Sequence, residues 1–307
     1  MFRLLLCLSV GLANHMAAAA APAPTQADVP YGPDPRQKLG FFQAKSETPT
    51  PLLFFIHGGG WMNGDKSGFN NASPYLSAGI SVVSIEYRFV TQAAAAGVKP
   101  PVAWPLGDSA RALQFVRTKK IAWNLDTSRV AASGSSAGAC SSLWLAFHDD
   151  LADSQSANPV ARESTRLFCA AVVRAQTTLD PKQMTEWIPN ACYGAHAFGF
   201  IGDETKGLSP FEELLARRET ILPWLKEYSP YELLTADDPP VALYYDEPPA
   251  MGQEQANMAH SANFGVGLAR KLKQVGVDYE LVYPGAPNVR HPSIHEYLIE
   301  KLNAPRR

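Results

Sequence analysis

Apolar runs of strand length alternate along this chain with segments of helical length. Residues 52–56, Leu-Leu-Phe-Phe-Ile, are apolar throughout, the pattern of a strand buried on both faces. Residues 36–43, 80–87, 129–133, 168–174, 241–245 and 279–283 read as further strands. Helices are predicted near residues 70–77 and over 106–117, 139–147, 264–274 and 293–302. In the last long loop-to-strand interval, Val266, Leu268, Ala269 and Leu272 form the core-facing positions. Such alternation predicts an α/β domain over residues 36–307, with a mostly parallel central sheet and helices on both faces. Residues 93–104, with Pro100 and Pro101, read as irregular, and residues 246–260 as a long loop. Residues 181–240 break the alternation: they are rich in Trp, Pro and Tyr, with helices near 211–220 and 223–227. They form a helical insertion before the penultimate strand, either a cap or lid over the sheet's carboxyl edge or a long helical connection.

The N-terminus departs from this pattern. A basic start at Arg3, an apolar run over residues 4–13 and small residues at 17–21 predict a signal peptide over 1–20 and export to the periplasm or outside the cell. That run is too short to span a bilayer. Residues 21–35 read as a disordered leader. With 307 residues, 46% of them hydrophobic, the chain can build one large core. A net charge of -2 without long single-sign blocks argues against nucleic acid as a partner. Beyond Cys7, the cysteines at 140, 169 and 192 allow at most one disulfide, and no Cys/His spacing suggests a metal site.

Gly134-Ser135-Ser136-Ala137-Gly138 reads G-x-S-x-G between a strand and a helix, the setting of a nucleophile elbow. Ser136 is the candidate nucleophile. A Cβ on either outer glycine is expected to collide with neighbouring strand and helix. His57-Gly58-Gly59-Gly60-Trp61 follows the buried strand, where glycines let backbone N–H groups face a developing oxyanion. Gly59, Gly60 and Ala137 are the predicted oxyanion donors. The glycine run alone would be a weak signal; its pairing with the elbow, each at a strand end, makes coincidence improbable.

With both motifs, Asn63-Gly64-Asp65-Lys66, Tyr87-Arg88, Asp108 and Tyr283-Pro284-Gly285, the chain resembles the α/β-hydrolase carboxylesterases of the HGGG class, over about residues 36–303. The short N-terminal region resembles the acetyl-xylan and feruloyl esterase branch; kynurenine formamidases carry a similar signature. The resemblance implies an α/β-hydrolase fold, no cofactor, and a small-molecule or oligosaccharide ester as substrate. It also implies a triad in the chain order serine, acid, histidine. The base is then expected after the last strand, at His291 ahead of His295, although the loop there is longer than in relatives. The acid is expected just past Tyr245, at Asp246, with Glu254, Asp180 and Glu247 as alternatives. Trp61 and Trp187 are candidates for lining the substrate pocket or for plain core. Three functions remain open: a secreted serine esterase, an arylformamidase or peptidase on the same machinery, and a hydrolase-fold binding protein without catalysis.

Overall fold

A computed structural model describes residues 22–202 and 204–304. The predicted signal peptide lies outside them. Eight strands, β1 (Gln26–Pro30), β2 (Lys38–Phe42), β3 (Thr50–Ile56), β4 (Ser81–Ile85), β5 (Leu125–Ser135), β6 (Cys169–Val173), β7 (Val241–Tyr244) and β8 (Tyr279–Val282), form one sheet. Their spatial order is β1-β2-β4-β3-β5-β6-β7-β8. The β1–β2 and β2–β4 pairs are antiparallel and all others parallel. The connecting helices are α1 (Ser73–Ser77), α2 (Val90–Ala95), α3 (Ala103–Thr118), α4 (Ala137–Phe147), α5 (Pro181–Trp187), α6 (Pro210–Ala216), α7 (Leu222–Tyr228), α8 (Pro230–Leu233), α9 (Asn263–Val275) and α10 (Ile294–Asn303).

The apolar run of β3 explains its central place. Leu52, Phe54 and Ile56 enter the larger core with residues of α3, α4 and α9. Leu53 points the other way, into a second core with Tyr75 of α1 and Tyr297, Leu298 and Leu302 of α10. Both faces are therefore covered, which a parallel sheet requires. Every residue of α4 is buried. It is apolar nearly all round because it lies against the sheet on one side and α3 and α8 on the others.

Two expectations fail. Residues 26–30 are strand β1 rather than a disordered leader: Gln26 pairs with Phe41 and Val29 with Leu39. Asp28 is bridged by Lys38 and Lys66, and the buried Tyr31 Oη donates to the Glu86 carbonyl at 2.5 Å. These partners are remote in sequence, so a Pro/Ala-rich stretch conceals the strand. The stretch read as irregular from residue 93 begins inside α2. The 181–240 insertion folds as α5–α8 with short 3-10 turns and packs on α4 and α9; Trp144 Nε1 of α4 donates to the Glu227 carbonyl at 2.9 Å.

Candidate active site

The elbow stands at the carboxyl end of β5. Ser136 has φ 56 and ψ -121, a conformation costly for a residue with a Cβ. It persists because both sides are over-determined. Ser136 N donates to the Val173 carbonyl at 3.0 Å, and Cys140 N donates to the Ser136 carbonyl at 2.9 Å. A Cβ on Gly134 would lie 2.4 Å from the Ile56 oxygen, and one on Gly138 2.0 Å from the same atom. The outer glycines thus let the turn press onto the end of β3, as their spacing suggested.

The glycine loop after β3 lies beside Ser136: a Cβ on Gly58 would sit 3.5 Å from the Ser136 Cβ. Gly59, Gly60 and Trp61 all have positive φ, and the Met62 and Asn63 amides fold back onto the Gly59 carbonyl. The turn leaves the Gly59 and Gly60 N–H groups without an acceptor among the described residues. Tyr87 supports the loop from below, donating to the His57 carbonyl at 2.9 Å and stacking on the His57 ring at 4.2 Å. From the insertion, Tyr193 Oη and His196 Nε2 would lie 2.7 and 3.7 Å from a Cβ on Gly60. Among the described residues the buried His196 Nε2 meets no hydrogen-bond partner, beside the Gly60 backbone.

These distances separate the two glycines. A side chain on Gly59 meets the Asn63 backbone oxygen at 2.2 Å, so Gly59→Val is expected to compromise folding itself. On Gly60 the nearest atom is the end of the Tyr193 side chain. Gly60→Val, whose β-branched side chain does not hold the positive φ and so turns the N–H away, is expected to lower kcat by about a hundredfold, the scale of one lost oxyanion donor, with a smaller fall in melting temperature than Gly59→Val. Paired thermal melts and steady-state kinetics check this.

The histidine that reaches Ser136 is His260. Its Nε2 lies 2.9 Å from Ser136 Oγ. His260 stands after β7, at the end of the long loop leading into α9. That loop is stapled in place. Asn263 Nδ2 donates to the Trp187 and Ala250 carbonyls at 2.8 Å each, Asn190 exchanges two hydrogen bonds with the Gln255 backbone, and Gln176 donates to the Ala259 carbonyl. Burial pushes the imidazole below the ordinary histidine value; Arg174 pushes the same way and Asp246 opposes. The ring is thereby biased toward the neutral form that accepts a proton. No hydrogen bond engages its Nδ1 among the described residues.

His291, the expected base, is held elsewhere. Glu280 takes its Nδ1 at 2.6 Å and its backbone N–H at 3.1 Å, Glu300 of α10 takes its Nε2 at 2.8 Å, and Tyr244 Oη donates to its carbonyl at 3.1 Å. The loop after β8 turns this residue onto α10, on the other side of the sheet from α4. Burial alone would depress its pKa, but the bonds and charges of Glu300 and Glu280 outweigh that and raise it. His295 instead bonds the Tyr75 hydroxyl at 2.8 Å.

Among the carboxylates, Asp246 follows β7 as expected and acts electrostatically on His260, but it is paired with Arg174. Glu254 is exposed, and only its carbonyl enters a hydrogen bond. Asp180 caps α5 and is gripped by Arg218 at 2.6 and 2.7 Å. Glu247 is exposed. Both tryptophans make packing contacts. Trp61 is 1% exposed and donates to Ser141 Oγ at 2.9 Å. Trp187 packs between Tyr231 and Phe264 and fills the space above Gly267.

A nucleophile elbow beside unpaired loop N–H groups, with an imidazole on the serine hydroxyl, is joined by a matching family model. A model of the BD-FAE family matches residues 41–259. The chain belongs to the BD-FAE family. Among curated relatives, this BD-FAE chain is 32% identical over 123 residues to Gut esterase 1 of Caenorhabditis elegans, covering 38% of the chain and 22% of the relative. It is 31% identical over 114 residues to Esterase LipC of Mycobacterium tuberculosis, covering 35% and 26%. The match thus spans about a quarter of either relative's length. The solved structure of a truncated carbohydrate esterase from gut microbiota superposes with a TM-score of 0.66 at 16% identity, covering 94% of this chain and 99% of that one. That likeness shows the α/β-hydrolase fold. The BD-FAE match ends just before His260, so the histidine bonded to Ser136 falls outside the matched span.

Proposed function

We propose that this BD-FAE chain is a serine esterase using a Ser136–His260 pair. The carrying observation is the 2.9 Å contact between His260 Nε2 and Ser136 Oγ in a strained elbow. A serine hydroxyl is inert at its own pKa and needs such a base. Ser136 Oγ attacks the ester carbonyl while its proton passes to His260 Nε2. The oxyanion forms against the N–H groups of Gly59, Gly60 and Ala137. Collapse expels the alcohol, which takes the proton from His260, and water activated by the same imidazole releases the acid. The residues themselves supply the whole cycle.

Acetylated or feruloylated polysaccharide fragments are the proposed substrates. The similarity to a protein named a carbohydrate esterase supports this, as does export by the predicted leader. One observation favours the inactive binding-protein reading: among the described residues His260 Nδ1 has no carboxylate partner. A fluorophosphonate probe decides between them. Covalent labelling at Ser136 with turnover of p-nitrophenyl acetate supports the esterase, and absence of both supports the binding protein.

The proton accounting gives a pH prediction. Rate requires neutral His260, so kcat/KM falls as pH drops through its pKa. Because burial and Arg174 together depress that pKa, the midpoint is expected below the ordinary value of about 6.5. Asp246→Asn removes the opposing charge and is expected to move the midpoint lower still. A pH–rate profile of both proteins measures this.

A further inference from the structure

We propose that Arg174 is the receptor for a carboxylate carried by the ester substrate, and that this carboxylate, by engaging Arg174, releases Asp246 to orient His260. The proposal rests on the serine-esterase reading and narrows its substrate class.

The backbone singles out Arg174. Six non-glycine residues have positive φ among the described residues: Asp28, Trp61, Asn124, Ser136, Arg174 and Asn288. Three are Asp or Asn, which tolerate this region. The other three are Trp61 of the oxyanion loop, the nucleophile, and Arg174 at φ 55. Arg174 directly follows Val173, whose carbonyl accepts from Ser136 N, and its own N–H is tied to the Tyr244 carbonyl at 2.8 Å. The strained turn therefore sits one residue from the nucleophile's anchor. Strain of this kind persists where the surroundings hold it, and it gathers at functional sites.

The side chain is disposed as a receptor. Arg174 Nε donates to the Asp246 carboxylate. Its two terminal nitrogens have no hydrogen-bond partner among the described residues, and the side chain is 45% exposed. An arginine with a free fork matches a carboxylate in bidentate geometry.

Charge pairing through the cycle supplies the coupling. At rest, Arg174 and Asp246 neutralise each other beside an uncharged His260. Once His260 takes the Ser136 proton it is an imidazolium whose Nδ1–H lacks an acceptor, with cationic Arg174 nearby. On a neutral ester, Arg174 and the imidazolium compete for one carboxylate. On an ester carrying its own carboxylate, four charges form two pairs: substrate with Arg174, and Asp246 with His260. The acid that the fold delivers after β7 then completes the triad. Esters of uronate-containing saccharides and half-esters of dicarboxylic acids have this chemistry.

The test compares mono-p-nitrophenyl succinate with p-nitrophenyl butyrate, matched in length and differing in one charge. Wild-type kcat/KM is expected to favour the succinate ester by about tenfold, the scale of one charge-assisted hydrogen bond. That preference should shrink with added salt, which screens a partly exposed pair. In Arg174→Gln the succinate-to-butyrate ratio is expected to fall by about tenfold, and the pH midpoint with butyrate to rise as a positive charge beside His260 is lost. No wild-type preference, or equal losses on both esters in Arg174→Gln, overturns the proposal. If the variant fails to fold, the wild-type ratio and its salt dependence still decide it. Absence of Ser136-dependent turnover of butyrate would instead overturn the esterase reading itself.

Discussion

Alanine at position 260 is expected to reduce ester turnover by about 10⁴-fold or more, whereas alanine at 291 leaves kcat within about twofold of wild type. Without His260, Ser136 Oγ keeps its proton until it is already bonding to carbon, and the leaving alcohol has no donor. On the proposed mechanism the glycine loop's N–H groups and substrate binding remain, so a small residual rate survives. His291→Ala removes a different thing. Glu280 is buried and would keep only Arg290, at 3.1 Å, as a charge partner, while Glu300 loses its tie to the loop. The cost is about 3 kcal/mol of stability, the scale of breaking a buried pair, read as a lowered denaturation midpoint at unchanged kcat. The two variants thus exchange phenotypes: one folded and inactive, the other active and less stable. A His291→Ala protein that folds yet has lost turnover would return the base to the loop after β8.

Ser136→Ala is expected to abolish turnover of p-nitrophenyl acetate by a factor on the order of 10⁶ and to abolish phosphonate labelling. Stability should be unchanged. The hydroxyl's bond is to a half-buried imidazole, and alanine keeps the Cβ that the elbow already accommodates at φ 56. Ser136→Gly should add about 1 kcal/mol to stability, because glycine adopts positive φ without steric cost. Activity above a few per cent in Ser136→Ala, measured with the active-site titre of wild type as reference, would remove the serine from the mechanism.

The two candidate histidines show how far the sequence could be read. The elbow and the glycine loop are local: each is a few consecutive residues whose tight turn depends on glycine, and they pack so closely that a Cβ on Gly58 would lie 3.5 Å from the Ser136 Cβ. The strand pattern is local too, since a buried parallel strand must be apolar along its length. The base is not local. His260 lies 124 residues from Ser136 and is held by Asn190, Gln176 and Asn263, three polar residues with no shared motif. The one available signal was the loop itself, longer than the connection from β7 to α9 requires and ending in a histidine. The expectation that the base follows the last strand pointed past it to His291, although Ser136, Asp246 and His260 keep the order serine, acid, histidine.

Apolar periodicity and glycine placement in the sequence alone determined the parallel sheet, the elbow at Ser136 and the glycine loop beside it. They do so because burial and backbone sterics act on neighbouring residues. Tertiary structure alone decided that β1 adds to the sheet edge, that Trp61 meets Ser141 and Trp187 meets Tyr231 and Phe264, and that His291 bridges Glu280 and Glu300. It also decided that His260 meets Ser136, with Asp246 beside it in the grip of Arg174. Each of those outcomes depends on where a loop is pinned by side chains distant in sequence. Loop position is the quantity that no local pattern of hydrophobic and polar residues encodes.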